Sequence, residues 1–416
     1  MPRAVTPFPR HLAPRLREAL GDTPAVLIHG PRQSGKTTLA RAVGEPRGYR
    51  YVSFDDEAIQ SAAKGDPVGF VTGLPAKCIL DEVQRVPEIF TSLKVAIDQR
   101  RTPGRFILTG SANVLLVPNL SDSLAGRMGI LRLHPLSQCE IEDRRPRFID
   151  TLFRGGFKTG LADRLGSGLA ERVVAGGYPA AMARRASARR RAWYRDYVET
   201  QIQRDVRDLM RIHSLDALPK LLALAAAQTA RLINVADLAG PFELTRQTIH
   251  AYVTLLERVF LLERLPSWHT NRLSRLVKRP KLHMGDTGVA CSLLGIDAAG
   301  LDRDRPLLGS MLETFVLQEL RRQASSRGDP LGFFHFRDRD DFEVDIVLEQ
   351  GHSAVAGVEV KAAATVSEAD FRGLRKLRDA AGKRFVAGVV LYDGSATVDF
   401  RDGLFAVPVR RLWEAA

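Results

Sequence analysis

The sequence predicts an α/β protein of several units, on three observations. A short apolar strand at residues 26–28 runs into a glycine-rich loop and then a helical pattern ending near residue 43. Two further apolar runs, at 78–80 and 106–109, each end in polar residues suited to chemistry. Near the C-terminus, strand-like runs at 342–348 and 356–361 flank a turn at 350–352. With 416 residues the chain exceeds what one hydrophobic core usually organises, so two or three domains are expected.

The first unit is set by its loop. Val26, Leu27 and Ile28 lead almost directly into Gly30, Pro31, Arg32, Gln33, Ser34, Gly35, Lys36, Thr37 and Thr38, and a helical pattern follows. This is the strand, loop and helix context of a P-loop. Glycines at 30 and 35 let backbone N–H groups turn inward around phosphates, and the helix starting near Lys36 points its positive end at them. Lys36 is placed to reach the β- and γ-phosphates of a nucleoside triphosphate, and Thr37 to ligate Mg²⁺.

The run at 78–80 delivers Asp81 and Glu82 at a strand's carboxyl end, where open α/β sheets bind ligands. Asp81 is expected to hold Mg²⁺ through water and Glu82 to orient or deprotonate an attacking water. After the run at 106–109, Ser111 or Asn113 stands where it would read a γ-phosphate. Arg127 follows the next helical pattern. It reads either as an arginine inserted into a neighbouring subunit's site or as a plain surface residue.

On these residues the first third resembles AAA-family ATPases, with residues 30–38, 79–82 and 109–113 matching the Walker A, Walker B and sensor 1 segments. Gly-Pro-Arg-Gln-Ser-Gly-Lys-Thr-Thr, Leu-Asp-Glu-Val-Gln and Leu-Thr-Gly-Ser-Ala-Asn together look like a bacterial and archaeal ATPase family. Its members carry a C-terminal domain of poorly defined function. The resemblance implies ATP and Mg²⁺ as ligands, catalytic roles for Lys36, Glu82, Asn113 and Arg127, and a homo-oligomer such as a hexameric ring.

The middle of the chain is basic and helical. Residues 184–195 concentrate arginines beside Trp193 and Tyr194, which reads either as a phosphate-contacting surface or as a solvated helix face. An apolar helix is expected over 218–232. Asn234 would cap a short helix at 235–239, and Thr245 a longer one whose apolar face is Ile249, Tyr252, Leu255, Leu256 and Val259. Strands at 261–265 and 281–284 flank a loop containing Arg272, Arg275, Lys278 and Arg279, and the whole resembles a winged helix. Arg246, Gln247 and His250 then stand where such motifs read bases.

In the last third, a helix over 310–322 carries Glu313 and Glu319. Asp345 lies on one strand of the following pair, and Glu359 and Lys361 share a face of the other. A metal would explain carboxylates converging with an amine. The order of Glu313, Asp345 and Glu359-x-Lys361 resembles the PD-(D/E)XK nuclease superfamily over residues 286–404. A salt-bridged core kept for binding or assembly is the other reading of the same residues.

Composition bounds the rest. A net charge of +13 and a pI near 10.0 favour polyanionic partners, DNA above all, although an arginine-rich surface serving only solubility fits the same numbers. Apolar runs fall far short of a membrane span, and no signal peptide is evident, so a cytoplasmic protein with no membrane partner is expected. Cys78, Cys139 and Cys291 have no metal-ligand spacing and read as buried thiols. The expected divisions are an AAA-type ATPase domain at 1–175, a basic connector at 176–215, a winged-helix-like domain at 216–285 and a PD-(D/E)XK-like α/β domain at 286–416. The leading expectation is an ATP-hydrolysing DNA-binding protein acting on branched or forked DNA in repair or recombination. An ATP-dependent endonuclease and a nucleotide-controlled protein-interaction switch are the alternatives.

Overall fold

Val26 and Ile28 face one side of strand β1 (Ala25–His29) and Ala25 and Leu27 the other, and all are buried. A strand covered on both faces must be apolar throughout, which is why residues 26–28 read as a continuous run. The computed structural model describes residues 8–111, 126–206, 217–233, 245–271, 273, 275 and 278–414. Helices α1 (Ala13–Asp22) and α2 (Lys36–Gly44) cover the Val26 face through Leu16, Leu39 and Val43. Strands β2 (Arg50–Ser53) and β3 (Cys78–Asp81) follow, and helix α3 (Ile89–Gln99) covers the opposite face through Leu93 and Ile97. Strands β4 (Phe106–Gly110) and β5 (Met128–Arg132) complete a five-stranded sheet in the order β2-β3-β4-β1-β5, parallel throughout. Parallel pairing brings the carboxyl ends of β1, β3 and β4 to one edge, so residues 30–38, Asp81, Glu82 and Ser111 meet there.

The chain leaves this sheet soon after β5. Cys139, Phe148, Leu152, Phe157 and Val173 join the core that also contains Phe405 and Trp413. Strand β6 (Gly160–Leu161) is an edge strand of the C-terminal sheet. Packing therefore changes unit near residue 134, well before the expected boundary at 175. Local hydrophobic patterning continues across that point, and only the long-range partners reveal the change.

Helix α4 (Ser187–Thr200) leads to α5 (Ala217–Ala227), β7 (Arg231–Leu232), α6 (Arg246–Arg258), β8 (Leu262–Leu265) and β9 (Lys281–Met284). The strands form a small antiparallel sheet in the order β7-β9-β8. The apolar run at 218–232 thus divides: the helix stops at Ala227, and Arg231 and Leu232 pair with Leu282 and Lys281. Thr245 caps α6, its hydroxyl accepting from the Thr248 N–H at 3.1 Å. The Asn234 cap and the short helix after it lie outside the described residues.

Helix α7 (Arg305–Ala324) starts a turn earlier than the sequence suggests, because the Asp304 side chain accepts from the Leu307 N–H and Pro306 sits in the first turn. Strands β10 (Leu331–Arg337), β11 (Glu343–Gln350) and β12 (Ala354–Lys361) follow, then helix α8 (Arg372–Ala381) and strands β13 (Phe385–Tyr392), β14 (Ala396–Asp399) and β15 (Leu404–Pro408). The sheet runs β10-β11-β12-β13-β15-β14-β6, with β12, β13 and β15 parallel and the other pairs antiparallel. Apolar residues of α7 pack on one face through Ile346, Val358 and Val389, and Leu374 and Leu377 of α8 on the other.

Three units meet at Glu263 on β8. Its carboxylate accepts from Arg132 of β5 at 3.0 Å, from Arg321 of α7 at 2.8 Å and from Gln318 of α7 at 3.0 Å. Burial alone would push this carboxyl up, but the Arg321 and Arg132 guanidiniums outweigh it and hold the group well below the usual glutamate range. Among the described residues no helix is long and apolar enough to cross a membrane.

Candidate functional site

The loop at 30–38 wraps its own lysine. Lys36 is 5% exposed, and its Nζ donates to the carbonyls of Gly30 at 3.1 Å and Pro31 at 2.8 Å. Gly30 has φ +151°, and a Cβ there would lie 2.1 Å from the Leu133 carbonyl oxygen, so no other residue fits. Gly30→Ala is therefore expected to disorder the loop and to remove nucleotide binding even where the chain stays folded. Calorimetric titration with ATP checks this, and binding at wild-type affinity would refute it. Arg10 braces the loop from outside, donating to the Ser34 carbonyl at 2.5 Å, the His134 carbonyl at 2.6 Å and Glu140 Oε1 at 3.1 Å. His29, at the end of β1, is held neutral: burial first, then Arg132 and Lys36, lower it to about 4.

Opposite the loop stands Asp81, 4% exposed. Three hydroxyls donate to it: Thr37 at 2.9 and 3.0 Å, Tyr51 at 2.7 Å, and Thr109. Thr37 and Asp81 offer the hydroxyl and carboxylate oxygens that a phosphate-bound Mg²⁺ takes, so this site fits the ion and these two residues would hold it. Glu82, next along, is a non-glycine residue at φ +58°. Its backbone N–H donates to Thr109 Oγ1 at 3.2 Å, while its carboxylate accepts from Ser111 at 3.0 Å and from Gln84. Such a backbone persists only where its surroundings over-determine it. Here they turn the carboxylate toward the cleft.

That cleft measures about 420 Å³. Its floor includes Arg32, Gln33, Gly35, Lys36, Thr37 and Thr38. Asp55 and Glu82 lie on one wall and Pro179 and Ala180 on another. The second wall comes from beyond the parallel sheet. The Tyr197 hydroxyl of α4 donates to the Arg32 carbonyl at 3.3 Å and shares a hydrogen bond with the Tyr178 hydroxyl at 3.0 Å, fixing that wall against the loop. Sequence reasoning missed Tyr51, Gln84, Arg10 and this wall. Only Gln84 left a local trace, two positions after Glu82.

Other expected site residues fall elsewhere. Asn113 and Arg272 lie outside the described residues. Arg127 precedes β5, at the edge of the sheet opposite the loop, and Asp98 accepts from its Nε at 2.6 Å and its Nη2 at 2.9 Å. The structure does not bring Arg127 to its own chain's cleft. Trp193 and Tyr194 do not accompany the arginines of α4 at the surface. Both are buried, Trp193 stacked on Tyr197 and Tyr194 donating to the Ala175 carbonyl at 2.8 Å. Arg246, Gln247 and His250 are exposed on the first turns of α6, and Lys278 and Arg279 are exposed as well. Arg275 is not available to a phosphate: it is 10% exposed, pairs with both oxygens of Glu349 at 2.6 and 3.1 Å, and lies over the Trp268 and Phe334 rings.

In the C-terminal unit the expected residues approach one another, with an addition. Lys361 pairs with Glu359 at 2.8 Å, and Asp345 accepts from the Val360 N–H at 2.9 Å. Glu313 and Asp345 meet through Lys281 of β9, whose ammonium lies 2.8 Å from the first and 3.2 Å from the second. Burial, and then the Asp345 carboxylate, raise Glu359 to about 8.

Comparison with known proteins places these sites in a lineage. A family model described as an AAA domain matches residues 22–142. Two models described as domains of unknown function, DUF8612 and DUF4143, match residues 166–300 and 308–412. The uncharacterized proteins Rv2008c of Mycobacterium tuberculosis and Mb2031c of Mycobacterium bovis are each 30% identical over 408 residues, covering 97% of this chain and 84% of theirs. Among solved structures, the Walker-type ATPase PABY2304 of Pyrococcus abyssi is 16% identical with a TM-score of 0.43, over 70% of this chain and 99% of that one. The RuvB Holliday junction branch migration motor of Thermotoga maritima is 20% identical with a TM-score of 0.32, over 62% and 90%. The chain belongs to the family of Rv2008c and Mb2031c, and its N-terminal unit is an AAA-type P-loop ATPase domain.

Proposed function

We propose that this protein hydrolyses ATP and uses the cycle to control DNA binding by its middle and C-terminal units. The observation that carries the first half is the convergence on one cleft of the Lys36 ammonium, the Thr37–Asp81 pair and the Glu82 carboxylate, supplied by the loop after β1 and the carboxyl end of β3. Mg²⁺, held by Thr37 and by Asp81 through water, would neutralise phosphate charge. Lys36 binds the terminal phosphates, Glu82 orients the attacking water and accepts its proton, and Ser111 and Gln84 keep Glu82 in place.

The second half is supported by the exposed side chains of α6. Arg246, Gln247 and His250 stand on one face near its N-terminus with Lys278 and Arg279 also in solvent, on a chain of net charge +13. The order helix, short strand, helix and two strands around β7-β9-β8 supports reading this unit as a winged helix. The chain of contacts from loop to α7 supports coupling. Arg10 links the Ser34 carbonyl to Glu140, Glu140 caps the helix starting at Gln138, and the Gln138 N–H donates to Glu319 at 2.9 and 3.1 Å. Strand cleavage is no part of this reading, because Lys281 occupies the space between Glu313 and Asp345.

The test is a panel of duplex, single strand, fork and four-way junction, scored together for binding and for ATP turnover. Binding should weaken steeply between about 50 and 200 mM salt, and Arg246→Ala with Lys278→Ala should lower the salt slope by about one for each phosphate no longer neutralised. An ATPase indifferent to every member of the panel, with no salt-dependent binding, removes the DNA half. Should ATP then still change the assembly's mass, the protein-interaction reading stands in its place.

A further inference from the structure

Lys281 begins a strand of the middle unit, yet its ammonium lies among carboxylates of the C-terminal unit. The residue is 3% exposed, and Nζ lies 2.8 Å from Glu313 Oε1, 2.5 Å from Glu343 Oε1 and 3.2 Å from Asp345 Oδ1. Glu313 and Asp345 accept hydrogen bonds from the ammonium, and Glu343 adds a third ion pair. One positive charge faces three carboxyl groups, and Glu313 responds: burial first, then Asp345, push it well above the ordinary range.

Hard oxygens from several carboxylates around one buried point form the ligand set a divalent cation takes. Two further donor atoms lie at its margin. Nε2 of His283 is buried without a hydrogen-bond partner, 3.8 Å from Glu313 Oε1, and Glu359 Oε2 is likewise unpartnered. With the ammonium in the centre, the residues present do not fit a metal as they stand. Among the described residues no group of three or more His, Cys, Asp or Glu is disposed to hold one.

We propose that Lys281 is a tethered cation occupying the centre of what would otherwise be a divalent-metal site formed by Glu313, Glu343 and Asp345. Metal is excluded from the C-terminal unit while β9 is docked on it, and removing the ammonium creates a metal site. The carboxylates belong to one unit and the cation to another. Electrostatics that would otherwise bind a free ion instead fasten the two units together.

Mn²⁺ is the probe, read by loss of its free electron-spin-resonance signal on the nucleotide-free full chain. Asp81→Asn is included throughout to silence the P-loop. The Asp81→Asn chain should take no Mn²⁺, and adding Lys281→Gln should create one site per chain. Adding Asp345→Asn should abolish that site. The inference is overturned by a folded Lys281→Gln chain that takes no Mn²⁺. It is equally overturned if the chain with Lys281 intact holds Mn²⁺ that Asp345→Asn releases. If Lys281→Gln does not fold, refolding with Mn²⁺ decides: recovery with one bound ion supports the assignment, and failure to recover overturns it.

Discussion

Glu82→Gln is expected to lower ATP turnover by about 10²–10⁴-fold while leaving ATP association intact, the loss typical of a removed general base. The amide has the shape of the carboxylate and can still meet Ser111, so the left-handed backbone at residue 82 and the cleft wall are kept. What disappears is the capacity to accept a proton from water. Lys36→Ala is expected to act earlier. Its ammonium is the buried cation of the loop, already turned to the Gly30 and Pro31 carbonyls, and without it the phosphates meet only backbone dipoles. Association itself should fall below detection. Calorimetric titration with ATP and Mg²⁺ beside steady-state phosphate release separates the two variants. Glu82→Gln turning over within threefold of wild type would remove Glu82 from its assigned role, with "threefold" marking about 0.7 kcal/mol of barrier.

This pair of residues was legible in the sequence because phosphate chemistry is local. A cradle needs Gly30, Lys36 and Thr37 within one loop, and strands buried on both faces, such as β1, β3 and β4, announce themselves as unbroken apolar runs. The AAA-domain match over residues 22–142 agrees with the expected AAA-type ATPase domain. What stayed hidden depends on partners far along the chain. Arg10 meets Glu140, the Gln138 N–H meets Glu319, and two-residue β6 completes a sheet whose other strands begin at residue 331. None of these carries a period. Trp193 and Tyr194 show the same limit from another side: an aromatic pair among arginines has one local signature whether it faces nucleic acid or a core, and here Tyr178 and Tyr197 enclose it. Lys281 is the sharpest case. A lysine opening a short strand reads as a solvated end, and three carboxylates from 32 to 64 residues away make it a buried centre.

Arg322→Ala should destabilise the core shared by the middle and C-terminal units by about 3–5 kcal/mol, the cost of removing one member of a buried ion pair. Arg322 of α7 and Asp286 are 4% and 1% exposed and meet at 2.8 Å. Around them the chain is tight: a Cβ on Gly177 would lie 2.4 Å from the Arg322 guanidinium and 2.6 Å from the Leu136 carbonyl. The two partners are not equivalent. Asp286 also accepts from the N–H groups of Gly177, Gly288 and Val289, so its carboxylate keeps three donors when Arg322 is gone. Arg322 without Asp286 retains the Leu136 carbonyl, an acceptor with no charge. Asp286→Ala should therefore cost more than Arg322→Ala, and the double variant less than their sum. Trp193, Trp268 and Trp413 all lie outside the parallel sheet, so urea unfolding followed by tryptophan fluorescence reports on these units. The node also positions function, since Gly177 is two residues before Pro179 on the wall of the nucleotide cleft. Weaker ATP binding should accompany the loss of stability in both variants, measured in urea-free buffer where each remains folded. A cost for Arg322→Ala under about 1 kcal/mol, the range of exposed pairs, would show that solvent reaches this junction and that Asp286 does not hold the wall in place.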